Sequence, residues 1–358
     1  MCNLRVLAAV LSAFGFFIPC AHFFVRVYGD IMLMVDNLPF TLTAISSFVR
    51  ITIFWWKKEA IIPMIDMITE DWEKSEVKQE RNIMIRRAHS ARIITICSYC
   101  LTALCCFIAI VPGFRMLIRY TPNITDPGRL MPLPAHYIYD LSKRPQYELT
   151  YISQVIYIFF INTSNCGIDN FLALLIFHIC GQLDILKNRL AHLDKYINSR
   201  DLLKSCIMKH IRLFRAIDIV EDAYNLTLLA LYAYFCILLA FFGFRIIDLF
   251  DEGNDLSRTD MVFFVSTIFF LFGQLFLYCA LGEFLVNQCD EIYYAVYSNK
   301  WYSVNQKLAQ DLLLLLIRGS KPIYLTAGKM FPITLTMFCN IIKTSVGYVS
   351  VLHTMKIY

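Results

Sequence analysis

The sequence predicts an all-α membrane protein whose chain crosses the bilayer seven times. Of its 358 residues, 58% are apolar and only 17% are charged, whereas soluble domains carry about 25% charged residues. The mean hydropathy is +0.55. Charged residues gather between apolar runs of the length that a helix needs to cross a hydrocarbon core, which is about 20 residues. The composition therefore argues against a soluble globular domain.

Seven apolar runs are long enough to span a bilayer. Four contain no charged residue: 6–25, 93–114, 223–244 and 261–282. Three contain one each: 37–56 with Arg50, 149–183 with Asp169, and 330–355 with Lys343. The first run is alternatively a cleaved signal peptide, although it has no clear cleavage site between small residues.

The three charged residues inside the predicted spans lead to three different predictions about their surroundings. Arg50 lies close enough to Lys57 for its head group to reach water, so it needs no special role. Asp169 lies in a run too long for one membrane thickness, so this helix is expected to continue into the cytoplasm. Lys343 lies near the centre of the last span, where a lipid-facing charge costs about 2.5–3.5 kcal/mol. It is expected either to face a water-filled space or to be buried with a partner.

Lys and Arg residues orient the chain. They accumulate in three alternate connections, 57–92, 184–222 and 284–329, which the positive-inside rule places in the cytoplasm together with the N-terminus. The C-terminal Tyr358 is then extracellular. The sequon at Asn123 lies in an outer connection, as a glycosylation acceptor must. The charges form no single basic stripe, so no nucleic-acid partner is expected.

The predicted organisation follows from these connections. It comprises spans 1 and 2 (1–56), a cytoplasmic helical connection (57–92), spans 3 and 4 with an extracellular loop at 115–148 (93–183), a second cytoplasmic helical connection (184–222), spans 5 and 6 (223–283), cytoplasmic anchor helices (284–329) and span 7 (330–358). Helical spacing of apolar residues predicts cytoplasmic helices at 63–89, 182–219 and 301–317. These apolar faces must pack against other helices, which predicts a folded helical region on the cytoplasmic side.

No catalytic, metal-binding or cofactor-binding pattern is present. The 13 cysteines lie mostly inside apolar runs and are interpreted as small buried hydrophobes. His178 and Cys180 are neighbours in a helical stretch, point in different directions and are not expected to share a metal. The chain is therefore predicted to be neither an enzyme nor the carrier of a cofactor.

Aromatic and small polar residues cluster in the predicted outer halves of several spans. Such walls suit a small apolar ligand with one hydrogen-bonding group. Ordinary lipid-facing and interhelical aromatics remain the alternative for each position. The predicted lining residues are Phe48, Phe107, Val111, Phe114, Tyr157, Phe160, Thr163, Ser164, Phe264 and Thr267, with Ile268 beside them.

Three stretches resemble one family, the insect odorant receptors. They are 178–186 (HICGQLDIL), 277–283 (LYCALGE) and the tail 327–332 (AGKMFP) followed by Phe338, 342–345 (IKTS) and Tyr348. The resemblance covers nearly the whole chain and is most specific in the C-terminal third. Family members usually carry a longer polar segment before the first span, whereas here Arg5 already borders it.

The resemblance implies a ligand-gated, non-selective cation channel in the plasma membrane of sensory dendrites. Ligand-tuned subunits like this one join the shared odorant co-receptor in a heterotetramer surrounded by membrane lipid, with the cytoplasmic helices as the anchor. The family's pocket lies in the outer leaflet among spans two, three, four and six, and binds small volatile molecules. Span 7 lines the pore, which implies a gate at Val351, Thr354 and Met355, with Lys343 also facing the pore.

Two other receptor classes share seven spans. A gustatory receptor has the same architecture, but its Thr-Tyr pair followed by Gln-Phe is here Gly347-Tyr348 followed by Thr354-Met355. A G-protein-coupled receptor needs an external N-terminus and Asp-Arg-Tyr and Asn-Pro-x-x-Tyr motifs, which the third and seventh spans lack. A transporter would show two related halves with broken helices, which the sequence does not.

Overall fold

The computed structural model describes residues 19, 22, 25, 31–110, 131–133, 137, 139, 143, 145–192, 199–251, 258–298 and 306–357. Within these ranges the regular structure is helical apart from one short ribbon, so the predicted all-α class is confirmed. Its elements are α1 (Ile31–Trp56), α2 (Lys58–Glu73), α3 (Lys78–Ile110), α4 (Gln146–Ala191), α5 (Ser199–Asp251), α6 (Arg258–Tyr297), α7 (Gln306–Gly319), β1 (Thr326–Ala327), β2 (Phe331–Pro332) and α8 (Leu335–Ile357). The predicted first span lies almost wholly outside the described residues.

Three helices are much longer than a membrane is thick. Helices α4, α5 and α6 contain 46, 53 and 40 residues, which at a rise of 1.5 Å per residue makes them roughly 60–80 Å long. The expectation that the helix containing Asp169 exceeds one membrane thickness is confirmed. Within the described ranges, four stretches are long and apolar enough to cross a bilayer: Leu38–Trp56, Gln146–Ala191, Arg200–Phe241 and Ile268–Tyr297.

Three predicted helix boundaries are wrong. The predicted helix 182–219 is not continuous, because α4 ends at Ala191 and α5 begins at Ser199. The predicted helix 63–89 is interrupted, because α2 ends at Glu73 and α3 begins at Lys78. The break lets the chain reverse, so that Met64 of α2 and Met84 of α3 are both buried. The last predicted span was expected to begin at Met330, but its helix begins at Leu335, after the ribbon. A proline in β2 has no backbone N–H and lies before the helix rather than inside it.

Helix α4 forms the centre of the bundle. Between Leu172 and Leu190 it is buried on most sides, with Ile176, Ile179 and Leu183 completely shielded. A helix with apolar side chains on most of its faces must be covered on those faces, and α3, α5 and α6 pack on it. Gly181 lets α3 approach closely, since a Cβ there would already meet Arg87 Cγ at 3.4 Å.

The ribbon attaches the start of α8 to α5. Strands β1 and β2 pair antiparallel through a turn at Gly328 and Lys329, both with left-handed backbone at φ 61° and 60°. The Gly328 N–H donates to the Asn225 carbonyl at 2.9 Å. The positive φ of Gly328 favours glycine, and a Cβ there would also push against Leu229 Cδ2, at 2.7 Å. The base of α8 is therefore held against α5.

Candidate ligand site and polar seam

An apolar cluster, here called the outer cluster, lies between α1, α3 and α4 at the ends remote from the α1–α2 junction. It brings the predicted lining residues Phe48 and Tyr157 together. Tyr157 is buried and Phe48 packs against the cluster. The other members are Phe40, Ala44, Ile51, Cys106, Ile110, Leu133, Tyr137, Ile158 and Ile161.

Hydrogen bonds from α4 fix the outer edge of this cluster. The buried Gln154 side chain accepts from the Leu133 N–H at 3.0 Å and donates to the Leu133 carbonyl at 3.4 Å. The Tyr151 hydroxyl donates to the Ile110 carbonyl at the end of α3, at 2.9 Å. These bonds hold the chain around Leu133 over the cluster and close it at this end.

The remaining predicted lining residues are distributed differently. The side chains of Phe107 and Phe160 are 59% and 51% exposed and lie on the outside of the single chain. Thr163 and Ser164 are half-buried. Ile268 packs against the larger of the two buried apolar clusters, here called the main core. Val111 and Phe114, like the sequon residue Asn123, lie outside the described residues, and the structure describes the backbone but not the side chains of Phe264 and Thr267.

Below the outer cluster, polar side chains join α1 to α4. Asn165 Nδ2 donates to Ser47 Oγ at 2.6 Å, and the Ser47 hydroxyl donates to the Thr43 carbonyl at 2.7 Å. The Thr43 hydroxyl donates to the Pro39 carbonyl at 2.6 Å, so the hydroxyl of Tyr234 on α5 must donate to Thr43, at 3.0 Å. This bond brings α5 into contact with the same polar residues of α1.

One turn further along both helices, Arg50 forms an ion pair with Asp169. Arg50 is only 3% exposed, so the expectation that it reaches water and has no special role is wrong. Two groups from α6 complete the arrangement: Gln274 Nε2 donates to Asp169 at 3.4 Å, and Arg50 donates to the Tyr278 hydroxyl at 3.5 Å. We call the Ser47–Asn165 and Arg50–Asp169 contacts the polar seam.

Sequence reasoning identified both charges but missed their pairing. The proximity of Arg50 to Lys57 suggested that it reaches water, yet α4 covers this face of α1. The available signal was the presence of two opposite charges in different predicted spans, because charges inside membranes pair with one another. The α6 partner Tyr278 belongs to the LYCALGE stretch noted in the sequence, without a role assigned there.

At the opposite end of the bundle from the outer cluster, a layer of ion pairs connects the cytoplasmic helices predicted from sequence. Arg87 pairs with Asp184, and Arg189 forms two hydrogen bonds with Glu80 at 2.6 and 2.8 Å. Lys187 pairs with Glu291 on α6 at 2.6 Å. These contacts tie α3 and α6 to the end of α4.

Helix α2 joins the same layer. His178 Nε2 lies 3.0 Å from Asp71 Oδ2, and Arg212 of α5 contacts both Glu70 and Asp71, at 2.7 and 3.0 Å. A hydrogen bond from Lys74, together with the charge of Arg212, holds the pKa of Glu70 below its ordinary value. Among the described residues, no three His, Cys, Asp or Glu side chains are grouped to hold a metal ion.

On α8, the side chain of Lys343 is exposed in the single chain, as are those of Thr344 and Val346. Ile341, two residues earlier and so on a different face, packs into the main core. The predicted gate residues Val351, Thr354 and Met355 lie in the helix, but their side chains are not described. One face of α8 thus packs on the bundle and the other is free to meet lipid, water or another chain.

Similar proteins share both the sequence pattern and this architecture. The family model described as 7tm Odorant receptor matches residues 30–346. Odorant receptor 13a of Drosophila melanogaster is 23% identical over 93% of this chain and 82% of its own length. Odorant receptor Or2 of Anopheles gambiae is 22% identical over 92% and 87%. The odorant receptor coreceptor of Harpegnathos saltator is 25% identical over 44% of this chain and 32% of its own length.

The fold matches a solved structure. The insect olfactory receptor OR5 from Machilis hrabei superimposes with a TM-score of 0.82 at 17% identity, covering 97% of this chain and 87% of that receptor. The same receptor has also been solved in complex with eugenol, with a TM-score of 0.82 at 16% identity, covering 98% and 88%. Because the family model covers most of the sequence, this chain belongs to the 7tm odorant receptor family and is a helical membrane protein.

Proposed function

We propose that this protein is a ligand-tuned odorant receptor, the odorant-gated subunit of a non-selective cation channel that it forms with the shared co-receptor. The observation that carries the proposal is the outer cluster: an apolar site walled by three helices, with a polar seam at its inner end. Such a site suits a small, volatile, mainly apolar ligand with one polar group. The Machilis hrabei receptor of the same fold was solved with the small molecule eugenol.

The ligand site of this proposal is centred on Phe48 and Tyr157. Val111 and Phe114, which continue the chain beyond the Ile110 end of α3, and Phe264, Thr267 and Ile268 of α6 are proposed to complete it, with Thr163 and Ser164 at its polar edge. Phe107 and Phe160 are proposed to contribute when the ligand or a neighbouring subunit draws them inward. Ligand binding then shifts the population from closed to open channels.

The proposed topology has seven spans, a cytoplasmic N-terminus, an extracellular C-terminus and a glycosylated Asn123, in the plasma membrane of a sensory dendrite. The ion-pair layer supports this orientation, because a layer dense in Arg and Lys fits the cytoplasmic side. The basic helices that form it belong to the predicted cytoplasmic connections and anchor. Charges placed there remain hydrated while the outer cluster lies in the opposite leaflet.

Assembly into a heterotetramer is proposed to use α7 and α8. Leu314 and Ile317 on α7 are 65% and 64% exposed, which is unusual for a cytoplasmic helix end and suits a contact with another subunit. On α8, exposed Lys343 is proposed to face the aqueous pore, and Val351, Thr354 and Met355 to close it. A narrow apolar ring closes a pore by excluding water. Similarity to the co-receptor supports assembly of related subunits.

The experiment that tests the function is current recording from cells that express this chain with the co-receptor, this chain alone and the co-receptor alone. Odorant-evoked cation current is expected only from the combination. Tyr157→Ala is expected to raise the half-activating concentration, because it empties part of the outer cluster. Ile152→Ala is the control, since this apolar side chain on the same helix is 54% exposed and should leave activation unchanged. Evoked current that is identical without this chain would disprove the proposal.

A further inference from the structure

Two polar atoms in the polar seam are buried and have no hydrogen-bond partner among the described residues. They are Asn165 Oδ1, an acceptor, and Arg50 Nε, a donor. They belong to adjacent contacts between the same two helices. Ser47 and Arg50 are separated by about 4.5 Å along α1, and Asn165 and Asp169 by about 6 Å along α4, from the helical rise.

The hydrogen-bond network identifies which atom of the Asn165 amide is free. The Ser47 hydroxyl has one hydrogen, which it donates to the Thr43 carbonyl at 2.7 Å. It therefore meets Asn165 only as an acceptor, so the amide nitrogen of Asn165 faces Ser47, at 2.6 Å. The free atom of the amide is the oxygen, which requires a donor. The opposite orientation would require the Ser47 hydroxyl to give up its hydrogen bond to the Thr43 carbonyl.

We propose that these two atoms form a subsite for a hydroxyl group, so that the preferred ligands are alcohols or phenols; this rests on the proposed function. A hydroxyl oxygen donates one hydrogen bond and accepts another, and at about 3 Å from each partner it can bridge atoms up to about 6 Å apart. Aldehydes, ketones and esters only accept. Alkyl ammonium groups only donate and carboxylates only accept at neutral pH.

The position of the subsite fits the shape of such a ligand. Asn165 lies one turn beyond Ile161 of the outer cluster on α4, and Ser47 lies three residues beyond Ala44 on α1. An apolar tail in the outer cluster thus directs its polar end toward the seam. Both atoms are shielded in the ligand-free chain, so nearby side chains must shift to admit the hydroxyl. The two hydrogen bonds gained stabilise the shifted state.

The test compares primary alcohols with the aldehydes of the same carbon skeleton, applied to cells that express this chain with the co-receptor. The alcohol of each pair is expected to activate at a concentration about two- to tenfold lower, the size of one lost hydrogen bond. Equal activation by alcohol and aldehyde would overturn the subsite. If no compound evokes current although the chain reaches the cell surface, the proposed function itself fails.

Substitutions test whether Asn165 is the source of the preference for alcohols. Asn165→Leu is expected to bring the alcohol-to-aldehyde ratio close to one, and a preserved ratio would overturn the proposal. Asn162→Leu is the matched control, because Asn162 bonds the Ile158 carbonyl of its own helix at 2.8 Å and should keep the ratio. If Asn165→Leu does not reach the surface, Ser47→Ala decides: it frees the Asn165 amide nitrogen as a donor, so aldehydes should improve and the ratio should narrow. An unchanged ratio in Ser47→Ala would then count against the subsite.

Discussion

Replacing Arg50 by methionine removes the cation from a pair that α1, α4 and α6 enclose. The Arg50 side chain is 4% exposed and that of Asp169 is 16% exposed, so neither charge is left to bulk water. Without Arg50, the Asp169 carboxylate keeps only neutral partners, the Tyr278 hydroxyl and the amide of Gln274, the latter at 3.4 Å. The converse variant, Asp169→Leu, leaves the guanidinium with the Tyr278 hydroxyl at 3.5 Å.

The expected cost of either single variant is large. Breaking a buried pair by removing one partner destabilises by about 3–5 kcal/mol, because the remaining charge is uncompensated. This is two to almost four orders of magnitude in a folding equilibrium at about 1.4 kcal/mol per tenfold. Removing both charges together is much milder, since an apolar pair of similar volume often replaces a buried ion pair without loss. Arg50→Met with Asp169→Leu should therefore restore most of the stability.

The assay is the surface fraction of the full-length chain, with the temperature at which the detergent-solubilised protein aggregates. Both single variants should lose surface protein and aggregate at lower temperature, and the double variant should recover on both measures. Lys74→Met is the control, because it removes an exposed ion pair with Glu70, and such pairs contribute little. Single variants that behave like the parent, or a double variant as poor as the two losses combined, would refute the reasoning.

Three further changes test other parts of the structure. Gly282→Ala places a Cβ against the Ile333 carbonyl oxygen, so we expect the free energy of unfolding to fall by about 1–3 kcal/mol, measured as a lower melting temperature. Gly273→Ala is the control, because a Cβ there meets open space and should leave the melting temperature unchanged. Val351→Asn hydrates the proposed gate and should raise basal current in the absence of odorant; normal closure would contradict the gate. Leu314→Lys should reduce co-precipitation with the co-receptor without lowering expression, and intact co-precipitation would exclude α7 from the interface.

Local patterns predicted most helices but not their ends. The 3.6-residue periodicity predicted α2 and the start of α3 as a single helix. A short break between two amphipathic helices leaves the spacing of apolar residues almost unchanged, so periodicity does not detect it. The break depends on tertiary packing, which buries Met64 of α2 and Met84 of α3. Similarly, the apolar run after Met330 gave no sign that the chain forms a ribbon before α8. The ribbon depends on Gly328 reaching the Asn225 carbonyl on α5.

The sequence predicted the types of residue that form the candidate site, but only some of the residues that belong to it. Aromatic density in the outer halves of the spans selected Phe48 and Tyr157, which the structure brings together, and equally Phe107 and Phe160, which it leaves exposed. The difference is the rotation of each helix about its axis. When a span is apolar on most sides, its hydrophobic pattern does not set this rotation; packing against its neighbours does.

The sequence by itself determined that this chain is a helical membrane protein, because backbone groups in a bilayer must be satisfied within the segment and only long apolar helices do this here. Its motifs also determined the family. Only the tertiary structure decided that Arg50 meets Asp169, and that Ser47 meets Asn165, 118 residues away along the chain. Such contacts depend on which face of α1 turns toward α4, and this is a property of the packed helices rather than of either segment alone.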